Sequence, residues 1–278
     1  MKKVKQDFDE LDMNLSEEDL AGIAKMFSDL YSKDIDPALE KAYKWLDKVD
    51  SAKSEKEEIK YIHKALEEYP DFFEAKIMLA AYEDNPLKAM LVIEDALKGE
   101  RELLKKNGFF NKDHIGEFSL ILETKPYIHG MYNLACFYAG LGMINKAIDL
   151  AREILRLDNR DGSGARYLLM GLYAYMEDES NLKKLYQKYP EESLSMLVPF
   201  FVYYYKQTNF KEAKRYLDKI VKCNKHFNHI FDDADVNMLD GYIVGEISEV
   251  EMVATELSFL LNTVPGLEDF VLDNGEIE

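Results

Sequence analysis

The sequence predicts an all-α fold, a solenoid of stacked antiparallel helix pairs. Three observations carry that prediction. Glu123–Ala174 runs as helix, tight Gly turn, helix, polar loop and next helix, with Ala and Gly where two helices must touch. Loop signals recur at Tyr69-Pro70-Asp71, Leu157-Asp158-Asn159, Tyr189-Pro190-Glu191 and Cys223-Asn224-Lys225. The last three lie 31 and 34 residues apart, counted from Asn159 to Pro190 and from Pro190 to Asn224. Only 7 prolines and 14 glycines occur in 278 residues, which favours long helices over many short strands.

Taken in order, residues 1–15 are polar and expected to be loose. Ser16 before Glu17, Glu18 and Asp19 reads as a helix start, a capping hydroxyl followed by acids facing the helix dipole. Leu20, Ile23, Ala24, Phe27, Leu30 and Tyr31 then make one apolar face, so residues 1–35 hold a capping helix. Five helix pairs follow within 36–226, over about 38–70, 72–106, 126–158, 162–189 and 194–223. Tyr69-Pro70 stops a helix because the residue before proline is biased away from the α region. The distance from Pro70 to Asn159 is too long for two repeats, so residues 107–125 are an insertion. Pro199 is awkward, since proline inside a helix removes a hydrogen bond. Either its helix begins near Met196, putting Pro199 in the first turn, or the helix kinks. Residues 227–278 form a C-terminal helical cap with segments Asp232–Val244 and Glu246–Asn262, a stop at Pro265-Gly266 and an acidic tail expected to fray.

The packing logic rests on small residues. Ala80, Ala135 and Gly171 on first (A) helices and Ala65, Ala89, Ala147 and Ala213 on second (B) helices let paired helices approach. Tyr82, Tyr138, Tyr173 and Tyr204 fill the wedge between repeats, and Gly140 and Gly142 permit the tight A–B turn. No pair can bury its apolar face alone, so several must stack.

Composition narrows function. Apolar residues make up 47% of the chain, enough for a substantial core. Net charge is −18, from 35 Lys+Arg against 53 Asp+Glu. An acidic surface repels phosphate backbones, so no nucleic acid is expected; the charge serves solubility, the sharper alternative being a partner with a basic segment or mimicry of nucleic acid. Two isolated cysteines, Cys136 and Cys223, fit a reducing cytoplasm and exclude a cysteine-only zinc site. No apolar run follows the basic N-terminus and none is long enough to span a bilayer, so neither secretion nor membrane insertion is expected.

A period near 34 residues is that of the tetratricopeptide (TPR) repeat, which implies a right-handed superhelical TPR-like solenoid. Glu123-Thr124-Lys125-Pro126-Tyr127, Asn145-Lys146-Ala147-Ile148, Leu155-Arg156-Leu157-Asp158-Asn159 and Gly164-Ala165-Arg166-Tyr167-Leu168-Leu169 occur in order at suitable distances. Asn224-Lys225-His226 and Thr263-Val264-Pro265-Gly266-Leu267 follow. Together these blocks resemble the bacterial TPR proteins related to the suppression-of-tumorigenicity family, over roughly residues 55–270 and most strongly over 123–174. Asn159-Arg160-Asp161-Gly162-Ser163 departs from the family's Pro-containing loop. Some relatives carry a C-terminal Cys-rich SEC-C zinc module; this sequence has none, so metal binding does not carry over. The resemblance implies interaction without an active site.

Candidate sites follow from the repeat register. The exposed edges of the A helices should line a concave peptide groove: His129, Tyr132, Asn133 and Cys136, then Leu168, Leu172 and Tyr175, then Val198, Val202 and Tyr205. Tyrosines offer flat apolar faces with a polar tip, and Asn133 can bond a ligand main chain. The alternative is that the chain's own tail or insertion fills part of this stripe. Arg166, after the loop Asp158–Gly164, could grip an anion, but an ion pair with Glu123 or Asp161 that pins the repeat junction is the favoured reading. His226, His229, Asp232 and Asp233 have weak metal-ligand spacing, and Cys136 with His129 lacks a third, orienting group. No catalytic residue, cofactor or metal is expected. The expected function is a non-catalytic protein- or peptide-binding scaffold. A peptide-sensing regulator acting on a separate effector is the alternative, and an enzyme the remote one.

Overall fold

The computed structural model describes residues 36–232 and 241–275. The expected capping helix before residue 36, Asp233, most of the expected helix 232–244 and the last three acidic-tail residues lie outside them. Regular structure among the described residues is helical, apart from two isolated bridges, Gly116 and Glu117 each to Asp158. The chain divides into two compact units, Met1–Ala75 and Lys76–Glu278.

In the first unit α1 (Pro37–Leu46) packs on α2 (Glu55–Glu68). Asp36 opens α1 by accepting the Ala38 N–H at 2.8 Å, and Pro37 supplies a first turn that needs no donor. Trp45 stacks on Tyr61 at 6.1 Å and carries the Lys48 and Lys64 ammonium groups on its ring. Tyr69 is extended and ends α2, as expected for a residue before proline. The short α3 (Phe73–Ala81) carries the boundary between the units.

The second unit holds α4 (Pro86–Lys106), α5 (Lys125–Gly140), α6 (Ile144–Leu157), α7 (Ala165–Tyr175), α8 (Glu179–Lys188), α9 (Leu194–Lys206) and α10 (Phe210–Cys223). Neighbours pack in succession: α4 on α5, α5 on α6, α6 on α7, α7 on α8, and α9 on α10. The A helices α5, α7 and α9 also touch in sequence, so they share a face. Ala135, Ala147 and Ala213 are fully buried, as small residues at helix crossings should be.

One turn recurs in all three pairs. The carbonyls of Tyr138, Tyr173 and Tyr204 accept the N–H groups of Met143, Asp178 and Asn209, five residues on, at 2.8–3.0 Å. The residue before each donor is left-handed: Gly142 (φ 72°), Glu177 (φ 57°) and Thr208 (φ 55°). This is a Schellman closure, which satisfies carbonyls that the helix end leaves open. Glycine takes that conformation freely, whereas Glu177 and Thr208 bear a strain of about 1 kcal/mol each. Gly140, expected to share the turn, is simply the last helical residue. Asp178 and Asn209 then cap α8 and α10 by accepting the Asn181 and Glu212 N–H groups. B helices also end alike: Asp158, Tyr189 and Asn224 each donate to the residue four back.

Pro199 sits at the sixth position of α9, because the helix starts at Leu194 rather than near Met196. It is buried beyond the first turn, and the Ser195 carbonyl loses its usual helical donor.

The insertion folds onto the loop after α6. Gly116 exchanges backbone hydrogen bonds with Leu157 and Asn159, both at 2.8 Å. Buried Asp158 accepts from Ser119 Oγ (2.7 Å) and from Gly162 N (2.6 Å), tying the insertion to the start of the next repeat. Phe118 is fully buried against Phe110.

The tail departs from expectation in three ways. Residues 241–244, the described end of an expected helix, are not helical. The expected helix 246–262 breaks at Leu257 into α11 (Ile247–Glu256) and α12 (Ser258–Leu261). Past Pro265-Gly266 the chain forms α13 (Leu267–Asn274) instead of fraying. Leu267 and Val271, one turn apart, bury on α10, and Phe270 packs between Tyr205 and Phe210. Burial of these side chains outweighs the acidity that pointed to a loose end.

Candidate functional site

The shared face of α5, α7 and α9 is the candidate site, and the C-terminal segment lies on it. Helix α11 packs on α9, and α12 packs on α7 and α5. Val250, Val253, Leu257, Leu260 and Leu261 are all buried. At about 2 kcal/mol for each such side chain, this is a substantial docking energy before ordering costs. Gly171 is the seat. A Cβ there would lie 2.5 Å from Leu257 Cδ2 and 3.1 Å from Phe259 Cζ. Its smallness therefore serves the C-terminal segment, whereas the sequence suggested a crossing with the paired helix.

The groove residues fall into three groups. Leu168, Leu172, Val198 and Val202 are buried at 1% exposure or less, so they are core. Tyr132, Cys136, Tyr175 and Tyr205 are half-buried, and all but Cys136 touch the tail directly. Tyr132 donates to Glu256 Oε1 at 2.6 Å, Tyr175 packs on Phe259 at 6.1 Å, and Tyr205 donates to the Pro265 carbonyl at 3.2 Å. His129 and Asn133, one turn apart on α5, stay exposed beside Tyr132. An open groove over all ten residues is thus not what the fold presents. The reason is physical: an apolar stripe at helical spacing, Val250, Val253, Leu257 and Leu260, needs a partner and finds this face.

At the centre lies a carboxyl without a cation of its own. Glu256 is half-buried as a residue, with its carboxyl turned into the protein. Burial pushes its pKa up to about 7; the Tyr132 hydroxyl and Arg166 oppose that shift, and Asp161 reinforces it. Burial, followed by the Glu256 charge, pushes the Cys136 thiol up to about 12. This thiol is protonated at neutral pH and no nucleophile, and nothing here pairs it with His129.

Beside Glu256 the Arg166 cluster pins the junction. Asp161 caps α7, accepting from Ala165 N (2.7 Å) and Arg166 N (3.0 Å). Arg166 Nη1 reaches Asp161 at 3.0 Å and Nη2 reaches Glu191 at 3.1 Å. Tyr167 OH contacts Arg166 and donates to Glu191 Oε1 at 2.8 Å, where Ser193 Oγ also donates. Burial works against the Glu191 charge, but hydrogen bonds from Ser193 and Tyr167 and the Arg166 charge hold its pKa low. Glu123 is not the partner of Arg166. It is exposed ahead of α5, while Asp161 sits at the helix start that Arg166 belongs to. Both outer guanidinium nitrogens face carboxylates, so the anion-grip reading of this loop loses its cation.

Toward the segment's start, Asn224 Nδ2 donates to the Glu246 carbonyl (2.8 Å) and Glu249 Oε2 (3.0 Å), and Glu249 also accepts from Gly245 N. His229 pairs with Asp232 at 2.8 Å. Glu256, Leu257, Phe259 and Glu191 were missed in the sequence. For the first three the signal was the apolar stripe itself, beside an acid with no basic neighbour.

Two outcomes follow. Arg166→Ala leaves Asp161 buried beside an unpaired Glu191, and urea unfolding should show a loss of about 3 kcal/mol; Glu123→Ala should change stability by no more than about 0.5 kcal/mol. Docking of 247–261 should also depend on pH. Released Glu256 titrates at the ordinary 4.5 and docked Glu256 at about 7. Below the lower value both forms hold the proton and docking is strongest. Between the two values only the docked form holds it, so docking weakens by about 1.4 kcal/mol per pH unit, and above the upper value it weakens no further. Hydrogen exchange of the α11–α12 amides, corrected for intrinsic rate, should report this trend, and Glu256→Gln should flatten it.

No protein-family model matches this chain, and no curated protein matches it.

Proposed function

We propose that this chain is a non-catalytic protein-binding scaffold whose A-helix face receives a helical or peptide segment of a partner. The observation that supports the reading is the seating of α11–α12 on α5, α7 and α9. A face that accepts an amphipathic segment of this chain has the shape and chemistry to accept another. On this reading α5–α10 are TPR-like pairs in a right-handed superhelical stack, and the repeated Schellman turn supports it. The resemblance to suppression-of-tumorigenicity-related TPR proteins belongs to the same proposal. The partner carries a basic segment, suited to a net charge of −18, and the setting is cytoplasmic. Among the described residues no helix is long and apolar enough to cross a membrane. The peptide-sensing alternative draws on one observation: Glu256, buried without a cation of its own, leaves the segment weakly latched.

The test uses three forms of the chain: wild type, Leu257→Asp to free the face, and Tyr132→Ala/Tyr175→Ala/Tyr205→Ala to dismantle it. Proteins retained from the native lysate are identified, and the purified partner is titrated against each form. The proposal expects about tenfold tighter binding to Leu257→Asp and loss of binding in the triple variant. Equal affinity for all three forms would sink it.

A further inference from the structure

On the opposite side of α7, helices α6 and α8 flank a shallow cavity of about 340 Å³ that is open to solvent. Arg152 and Arg156 stand one turn apart on α6, and Lys184 and Lys188 one turn apart on α8. The floor is apolar, made by Leu155, Leu169 and Leu185 with the ring of Tyr173. We propose that this cavity binds a small organic polyanion, with its negative groups held between the two cationic walls and its carbon frame on the leucine floor.

Charge pattern argues first. Like charges at i,i+4 on a helix repel. Elsewhere this chain places opposite charges at that spacing, as in Lys44–Glu40, Lys183–Glu179 and Lys214–Asp218, and also single like-charged rows, as in Lys60 with Lys64 and Lys211 with Arg215. What sets this place apart is that two neighbouring helices bring a like-charged pair each to one depression, in a chain with 53 acids against 35 bases. Availability argues second. Arg152 Nε donates to Tyr173 OH at 2.9 Å, which aims the guanidinium and leaves its outer nitrogens for a ligand. Among the described residues Lys184 and Lys188 form no ion pair with a carboxylate. Arg156 is held by Glu153, a carboxylate it shares with Arg101. Asp178, whose charge reaches Arg152 and Lys184, accepts from the Asn181 N–H (3.1 Å) and Nδ2 (2.6 Å). Four cations therefore face two committed carboxylates, leaving a positive excess.

Size and field select the ligand class. The volume is at the low end for small-molecule sites, and an apolar floor with few convergent polar groups is their usual lining. The negative field of the whole chain opposes a long polyanion such as a nucleic acid, but a small anion inside the cavity responds mainly to the four nearby cations. Phosphate esters and polycarboxylates share the needed chemistry.

Isothermal titration at low ionic strength with inorganic pyrophosphate and, separately, with citrate tests the site in the full chain. Saturable binding at one site is expected for at least one of them. Lys184→Ala/Lys188→Ala should weaken it at least about tenfold, and Arg152→Ala should do the same, while Lys105→Ala on α4 should leave it unchanged. Tighter binding of pyrophosphate would assign a phosphate ester, and tighter binding of citrate a polycarboxylate. No saturable binding of either probe up to about 10 mM, or an equal loss in Lys105→Ala, would overturn the proposal.

Discussion

Everything distinctive about this fold turns on the contact between Leu257 and Gly171. A helix face built from α5, α7 and α9 is too apolar to stand in water, and Leu168, Leu172, Val198 and Val202 would be stranded there. The C-terminal segment, through α11 and α12, lies on this face. It can approach only because residue 171 has no side chain, since a single added carbon would press into Leu257. The break between α11 and α12 falls at this residue, so one leucine ends one helix and seats the next.

Around that contact the polar groups divide by partner. Asp161, Arg166, Tyr167 and Glu191 satisfy one another and fix where α7 begins relative to α9. Glu256, which the charges of Asp161 and Arg166 reach, has a hydroxyl and no cation of its own. The first group behaves as permanent structure, whereas the second makes the cover conditional on a proton.

Much of this was legible beforehand because the signals were local. Tyr69-Pro70 stops a helix and Tyr189-Pro190 marks the end of another, each for a reason contained in a few bonds. Tyr138, Tyr173 and Tyr204 stand out in the sequence as side chains for the wedge between repeats, whereas the part their carbonyls play as acceptors of the closing hydrogen bond lies in the backbone. What the sequence concealed is long-range. Nothing near Gly171 says that its neighbour is Leu257, and nothing near Arg166 points to Glu191 rather than Glu123. The left-handed Glu177 and Thr208 were hidden because neighbouring repeats impose a turn that glycine alone would choose. The tail's acidity points to a loose end, but an i,i+4 pair of apolar side chains, Leu267 and Val271, is buried and holds it.

The cover over the A-helix face is the central claim, and a nuclear Overhauser measurement tests it at the atoms concerned. With Leu methyl groups and glycine Hα labelled, the account predicts cross-peaks between Gly171 Hα and the Leu257 methyls, together with Phe259 ring contacts to the same glycine. Their absence in a well-folded sample, with Leu257 methyl shifts at solvent-exposed values, would contradict it.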